Sequence, residues 1–177
     1  MRAGNIVCAT LLGFSLCCAL SAQQQCTVGN LVGTWAFSEI GWTVPLGSGS
    51  SAVASPVTVI GVLTVNYSGK ITGSGTTISG TGIPGTPIPA GEVLDFDFAG
   101  TVEITPNCTG SWRYSIQLKG TPAPLPGQFI ERFVYSLPKD QVVSMAIQSP
   151  LSKPLWIGQY TRMGRAPESI AWPEVAR

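Results

Sequence analysis

The chain has 177 residues, with ten Lys and Arg against nine Asp and Glu, 21 Gly, 14 Pro and no His. Near-neutrality excludes nucleic acid or an anionic membrane as the main partner, because both require clustered Lys and Arg. The missing His removes the commonest general base, the Ser-His and Cys-His pairs and most zinc sites.

Residues 1–22 carry a basic start at Arg2, an apolar run from Ile6 to Leu20, and small residues at Ala19, Ser21 and Ala22. This is the three-part pattern of a signal peptide, and it predicts a secreted or periplasmic protein. The apolar run is shorter than the ~20 residues a bilayer core needs, so no membrane span is expected after cleavage. Of the five cysteines, Cys8, Cys17 and Cys18 leave with the signal. Cys26 and Cys108 remain as an even pair in an oxidising compartment, and a disulfide between them is expected. Residues 23–163 form one domain, and 164–177 form a tail in which Pro167 and Pro173 oppose a long helix.

Within the domain, apolar residues recur with period two, and no window of helical length holds a 3.6-residue stripe free of Gly and Pro. Strands are expected at 32–44, 57–67, 70–80, 92–105, 110–119, 128–137, 141–148 and 155–163. In the fifth, Trp112, Tyr114, Ile116 and Leu118 form one face, while Ser111, Arg113, Ser115, Gln117 and Lys119 form the other. Such alternation belongs to a half-buried antiparallel strand.

The links alternate in length. Segments 45–56, 81–91, 120–127 and 149–154 are long and rich in Gly, Ser and Pro. The links around Ser68-Gly69, Pro106-Asn107-Cys108-Thr109 and Pro138-Lys139-Asp140 are tight turns. In an up-and-down meander every second link lies at the same end. The expected fold is therefore an all-β, eight-stranded antiparallel up-and-down barrel with an open mouth and a tight base. A two-sheet β-sandwich is the alternative. The cysteines support the barrel, since Cys26 precedes the first strand at the base and Cys108 sits in a base turn.

Gly33-Thr34-Trp35, at the start of the first strand, resembles the G-x-W signature of lipocalins and the wider calycin group. In that family the Trp closes the barrel floor and an Arg from near the C-terminal end packs over it. The resemblance implies structural roles for Gly33, Trp35 and Arg162. Two features depart from it: "SLPKDQ" lacks the T-D-Y motif, and the tail has prolines where a long helix would pack. A second pattern, from Cys26 through "GTWAF" and "GVLTVNYSGKITG" to "FAGTVEITPNCTGS", is similar to small secreted bacterial β-barrel proteins. These are similar in shape to lipocalins and to allene oxide cyclase and dirigent-like barrels. The likeness implies a fold and a ligand-binding lumen, and it transfers no activity.

Two carboxylates share a stripe with large apolar residues. Glu39 follows Trp35 and Phe37, and Glu131 lies between Phe129 and Phe133. If both point inward, burial raises the pKa of an acid and lets it donate a proton or bind a polar ligand head. If they sit at the rim, or a bulge turns them outward, they are only solvated. Tyr67, Trp112 and Tyr114 are further polar handles for a lumen lined by Phe37, Phe129 and Phe133. Asp95 and Asp97 alternate with Phe96 and Phe98, which puts the aspartates on the outside.

The leading expectation is a secreted barrel that binds a small, largely apolar molecule in its lumen, with no metal or cofactor. A cofactor-free cyclase or isomerase using Glu39 or Glu131 is the alternative. A filled barrel acting through surface contacts is the third possibility, and nothing in the pattern sets an oligomeric state.

Overall fold

The computed structural model describes residues 25–45, 54–80 and 91–164. The expected signal peptide, most of the 45–56 and 81–91 links and the tail beyond Gly164 lie outside the described residues. A short helix α1 (Val28–Leu31) precedes strands β1 (Gly33–Pro45), β2 (Ser55–Val65), β3 (Lys70–Ser79) and β4 (Val93–Ile104). Strands β5 (Thr109–Leu118), β6 (Phe129–Ser136), β7 (Gln141–Gln148) and β8 (Ser152–Gly164) follow. Each strand is antiparallel to the next, and β8 returns to pair with β1 from Thr34↔Gly164 to Pro45↔Ser152. This last ladder closes the sheet. The chain is thus an up-and-down closed barrel, and the sandwich alternative is set aside because no strand crosses between two sheets.

Strand limits depart from the expected ones where backbone pairing overrides residue type. The strand expected at 155–163 begins at Ser152 and includes Pro154. The ladder to β7 stops at Met145↔Ile157, so Lys153–Leu155 pairs only with β1. A strand with one open side tolerates proline. At the base, β2 ends at Val65 because Asn66 starts the turn. Its Oδ1 accepts hydrogen bonds from the backbone N–H groups of Ser68 at 3.0 Å and Lys70 at 2.9 Å. Such side-chain capping is ordinary turn chemistry for Asn.

Inward and outward residues alternate along every strand, and the large aromatics face in. Phe37 lies across Gly61, and Phe98 across Gly73 on the neighbouring strand. A Cβ built on either glycine would come within 2.7 Å of the opposing ring, so glycine is what lets these rings lie flat against the wall. Outside, β4 and β5 expose Asp95, Asp97, Glu103 and Arg113. The wall formed by β7, β8 and β1 instead exposes Met145, Ile157, Leu155, Ile40 and Trp42.

The base is closed by three interlocked features. Cys26 and Cys108 form a disulfide with their Cα atoms 5.0 Å apart. Trp35 is fully buried, and its Nε1–H donates to the Leu31 carbonyl at 2.8 Å. Arg162 lies over the Trp35 ring at 4.1 Å, donates to the carbonyls of Asn30 and Val32, and pairs with Asp140 at 2.6 Å. Tyr135 donates to the other Asp140 oxygen at 2.8 Å and meets Trp35 edge-on. Stacking, two carbonyls and a carboxylate together require a planar guanidinium with several donors.

Replacing both cysteines by serine should lower stability by about 4 kcal/mol, because the bond closes a loop of 82 residues in the unfolded chain. Arg162→Lys keeps the charge but loses the fork and the stack, and should cost about 2 kcal/mol. Urea unfolding of the variants beside the parent protein checks both, with an unchanged denaturant slope expected for Arg162→Lys and a steeper one for the cysteine variant, whose unfolded chain is less compact.

Candidate lumen site

Glu39 and Glu131 lie inside the barrel, 6% and 1% exposed. Their orientation follows from register. On β1, Trp35, Phe37 and Glu39 occupy successive inward positions, and Glu39 faces Gly158 of β8. On β6, Phe129, Glu131, Phe133 and Tyr135 are all buried. A register shift does occur between Ile130 and Glu131, where Ile130 pairs with Gln148 and Glu131 with Ala146. The extra residue, Ile147, belongs to β7, so β6 keeps its phase and Glu131 stays inward.

Three hydroxyl groups converge on the Glu131 carboxylate. Tyr114 donates to Oε1, and Ser144 donates to Oε2 at 2.6 Å. The Tyr160 hydroxyl lies 2.9 Å from Glu131 Oε2 and 2.7 Å from Glu39 Oε1. A phenol has one proton, so Tyr160 can donate to only one of the two carboxyls. The other contact then needs a proton on the carboxyl itself.

Electrostatics assigns that proton to Glu39. Burial pushes its carboxyl well above the usual range, and the neighbouring Glu131 charge pushes the same way, against the opposing hydrogen bond with Tyr160. The Tyr160 hydroxyl lies between the two carboxyls, and a proton kept by Glu39 lets both contacts be made. Burial also raises the Tyr114 and Tyr160 phenols well above the ordinary tyrosine value, with the two glutamates adding to the shift. Among the described residues no Lys or Arg pairs with either glutamate; Arg162 is turned to Asp140 at the base. Two carboxyl groups are thus held in a mainly apolar interior by hydroxyl groups alone among the described residues. Such an arrangement is costly to build, and it clusters at functional sites more than elsewhere.

Gly158 makes the arrangement possible. A Cβ there would stand 2.6 Å from Ser144 Oγ, 3.0 Å from Glu39 Cγ and 3.0 Å from the Tyr160 ring. The space that a side chain would fill is where the three groups meet.

Above the network the lumen holds a cavity of about 120 Å³ lined mainly by aromatic and aliphatic side chains. Glu39, Tyr114 and Tyr160 contribute its polar atoms on one side, and Thr43, Thr77, Ser149 and Ser152 contribute others. Phe37 stacks on Tyr160 at 5.4 Å, and Tyr114 stacks on Phe129 at 5.6 Å. Trp112, also in the lining, stacks on Phe133 at 4.5 Å.

Of the residues expected in the lumen, Phe37, Glu39, Trp112, Tyr114 and Phe129 line the cavity. Glu131 and Phe133 are buried but do not reach its surface. Tyr67 is a correction: it is 63% exposed in the turn after β2, because the Asn66 cap ends the alternation from which an inward position was inferred. Sequence reasoning missed Ser144, Trp156, Gly158 and Tyr160. A signal for the last three is present: the resemblance places Arg162 over the floor, and Tyr160, Gly158 and Trp156 precede it at successive steps of two. Among the described residues no cluster of three His, Cys, Asp or Glu could hold a metal ion.

Glu39→Gln preserves the shape of the protonated acid and should cost under about 1 kcal/mol, whereas Glu131→Leu strands three buried hydroxyls and should cost about 3 kcal/mol. The two variants also separate by pH. Folded Glu39 keeps its proton where the unfolded chain, at its usual value of 4.5, has lost it. Its contribution to stability is full below that value and is lost as pH rises through the folded value. Melting temperatures between pH 4 and 9 should therefore fall more steeply for the parent protein than for Glu39→Gln. Gly158→Ala should destabilise the barrel and disrupt the tyrosine pair. Its absorbance titration should then show a phenol ionising before unfolding, which the parent protein should not show for Tyr114 or Tyr160.

The barrel geometry is compatible with a lipocalin-like barrel. No protein-family model, curated protein or solved structure matches the chain.

Proposed function

We propose that the protein binds a small, largely apolar molecule in the barrel lumen, entering from the end opposite the Trp35 base. The observation that carries this reading is the cavity itself, apolar along most of its wall and bordered by Glu39, Tyr114 and Tyr160. A few placed polar groups in an apolar hollow are the usual form of a small-molecule site. Size narrows the occupant. An apolar cavity of ~150 Å³ holds benzene, and drug-sized ligands need upwards of ~300 Å³. About 120 Å³ suits a molecule of one ring or a short branched chain better than a full-length fatty acid.

The disulfide fits an extracellular or periplasmic setting, as the leader at 1–22 implies. Charged outer faces on β4 and β5 oppose a barrel ringed by lipid, which needs an apolar band all round. We assign the chain to the lipocalin-like barrels on the strength of the Trp35–Arg162 floor beneath an open lumen.

A cofactor-free isomerase or cyclase is the second reading, favoured by one observation: Glu39 both borders the cavity and belongs to a hydroxyl-linked proton chain. A general acid or base has to touch the substrate, and of the two glutamates only Glu39 is placed to do so.

Titration with one-ring aromatic probes should change the tryptophan fluorescence and raise the melting temperature in proportion to the logarithm of probe concentration. If a broad panel of such probes does neither, the binding reading fails. For the second reading, a bound ketone in D2O should exchange its α-hydrogens in the parent protein and not in Glu39→Gln, as followed by proton NMR.

A further inference from the structure

Inside this lumen, two indole N–H groups have no acceptor. Trp112 and Trp156 are 2% and 7% exposed, both rings line the cavity, and neither Nε1 makes a hydrogen bond. A buried N–H left unpaired bears its full desolvation penalty, so a ligand that supplies an acceptor gains what the lumen otherwise loses. The hydroxyls beside the glutamates are already committed: Tyr114 and Ser144 donate to Glu131, and the Tyr160 hydroxyl lies between Glu131 and Glu39.

We propose that the lumen ligand is a neutral molecule of about one ring that carries an oxygen acceptor, a ketone, aldehyde or ester carbonyl, held by the indole N–H of Trp156 with Trp112 as the second donor. The inference rests on the lumen-binding reading above and adds the ligand's chemistry to it. Trp156 is the first choice by position. It faces Gly41, one inward position beyond the Glu39–Gly158 pair, and packs with Val57 and Ala146. A carbonyl there has its apolar body against the Phe37, Phe96 and Phe98 wall.

Charge excludes the obvious rivals. A carboxylate ligand would enter a lumen that already holds two carboxyl groups and, among the described residues, has no cation to receive it. For an ammonium, Glu131 does not reach the cavity surface and its oxygens already accept three hydrogen bonds. An ammonium also brings only donors and leaves both indoles unpaired.

The test is a matched series on the full chain with its disulfide intact: acetophenone, ethylbenzene, benzoate and benzylamine, with affinities from tryptophan fluorescence and calorimetry. Acetophenone should bind about tenfold more tightly than ethylbenzene, and benzoate and benzylamine should bind more weakly than either. With 15N-labelled tryptophan, acetophenone and not ethylbenzene should move an indole N–H resonance downfield. Trp156→Phe, shown to be folded by its melting curve, should remove the ketone's margin and leave ethylbenzene affinity within about twofold. If that margin survives in Trp156→Phe and also in Trp112→Phe, the indoles are not the donors and the proposal is overturned. Equal binding of ketone and hydrocarbon, or preference for benzoate or benzylamine, overturns the ligand class while the lumen-binding reading stands. Failure of all four to bind removes the lumen-binding reading itself.

Discussion

Closure of the sheet by the β1–β8 ladder is the constraint on which the rest depends. Once β8 lies beside β1, every inward residue of eight strands must share one cylinder, and period two decides which those are. Glu39 is then no longer a carboxylate near a strand end. It faces Gly158, whose missing side chain leaves room for Tyr160, and Tyr160 reaches Glu131 on the far side. An open sheet would leave Glu39 and Tyr160 on separate edges, and the hydrogen bonds that link the two glutamates would not form.

The two ends of the barrel solve opposite problems. At the base, Arg162 is neutralised by Asp140 and supplied with two carbonyls and the Trp35 face, so a buried cation finds full compensation. The result is a rigid floor. In the middle, no cation among the described residues pairs with Glu131 or Glu39; hydroxyl groups hold both, and burial favours the protonated form of Glu39. Such a network is stable but poised, since any ligand that bonds to Glu39 or Tyr160 competes with hydrogen bonds already made. The cavity lies against this middle layer, with Glu39, Tyr114 and Tyr160 on its wall and Trp35 and Arg162 outside it.

Much of the frame was legible along the chain. Alternation marked all eight strands, the rhythm of long and short links indicated the meander, and Cys26, Trp35, Cys108 and Arg162 were placed at one end. These features are local, or follow from parity alone. The misreadings share a physical cause. Tyr67 was carried inward by extending an alternation that the Asn66 side chain stops, and Pro154 was assigned to a loop although an edge segment accommodates it. Both turn on which backbone groups have partners, and residue type alone does not report that.

By itself the sequence determined the all-β class, the cysteine pair and the fact that Glu39 and Glu131 lie in stripes of large apolar side chains; the floor roles of Trp35 and Arg162 came from the likeness to lipocalins, and closure over a two-sheet sandwich was decided by the β1–β8 ladder. Whether those glutamates meet water or each other was decided only in the tertiary structure. Glu39, Glu131, Ser144 and Tyr160 come from four strands, and their encounter depends on the register between those strands and on the vacancy at Gly158. Protonation follows from the encounter, because burial and a neighbouring charge act through space and leave no pattern along the chain. The unpaired indoles of Trp112 and Trp156 belong to the same order of information. An N–H lacks an acceptor only relative to everything packed around it, and that becomes definite when the barrel closes.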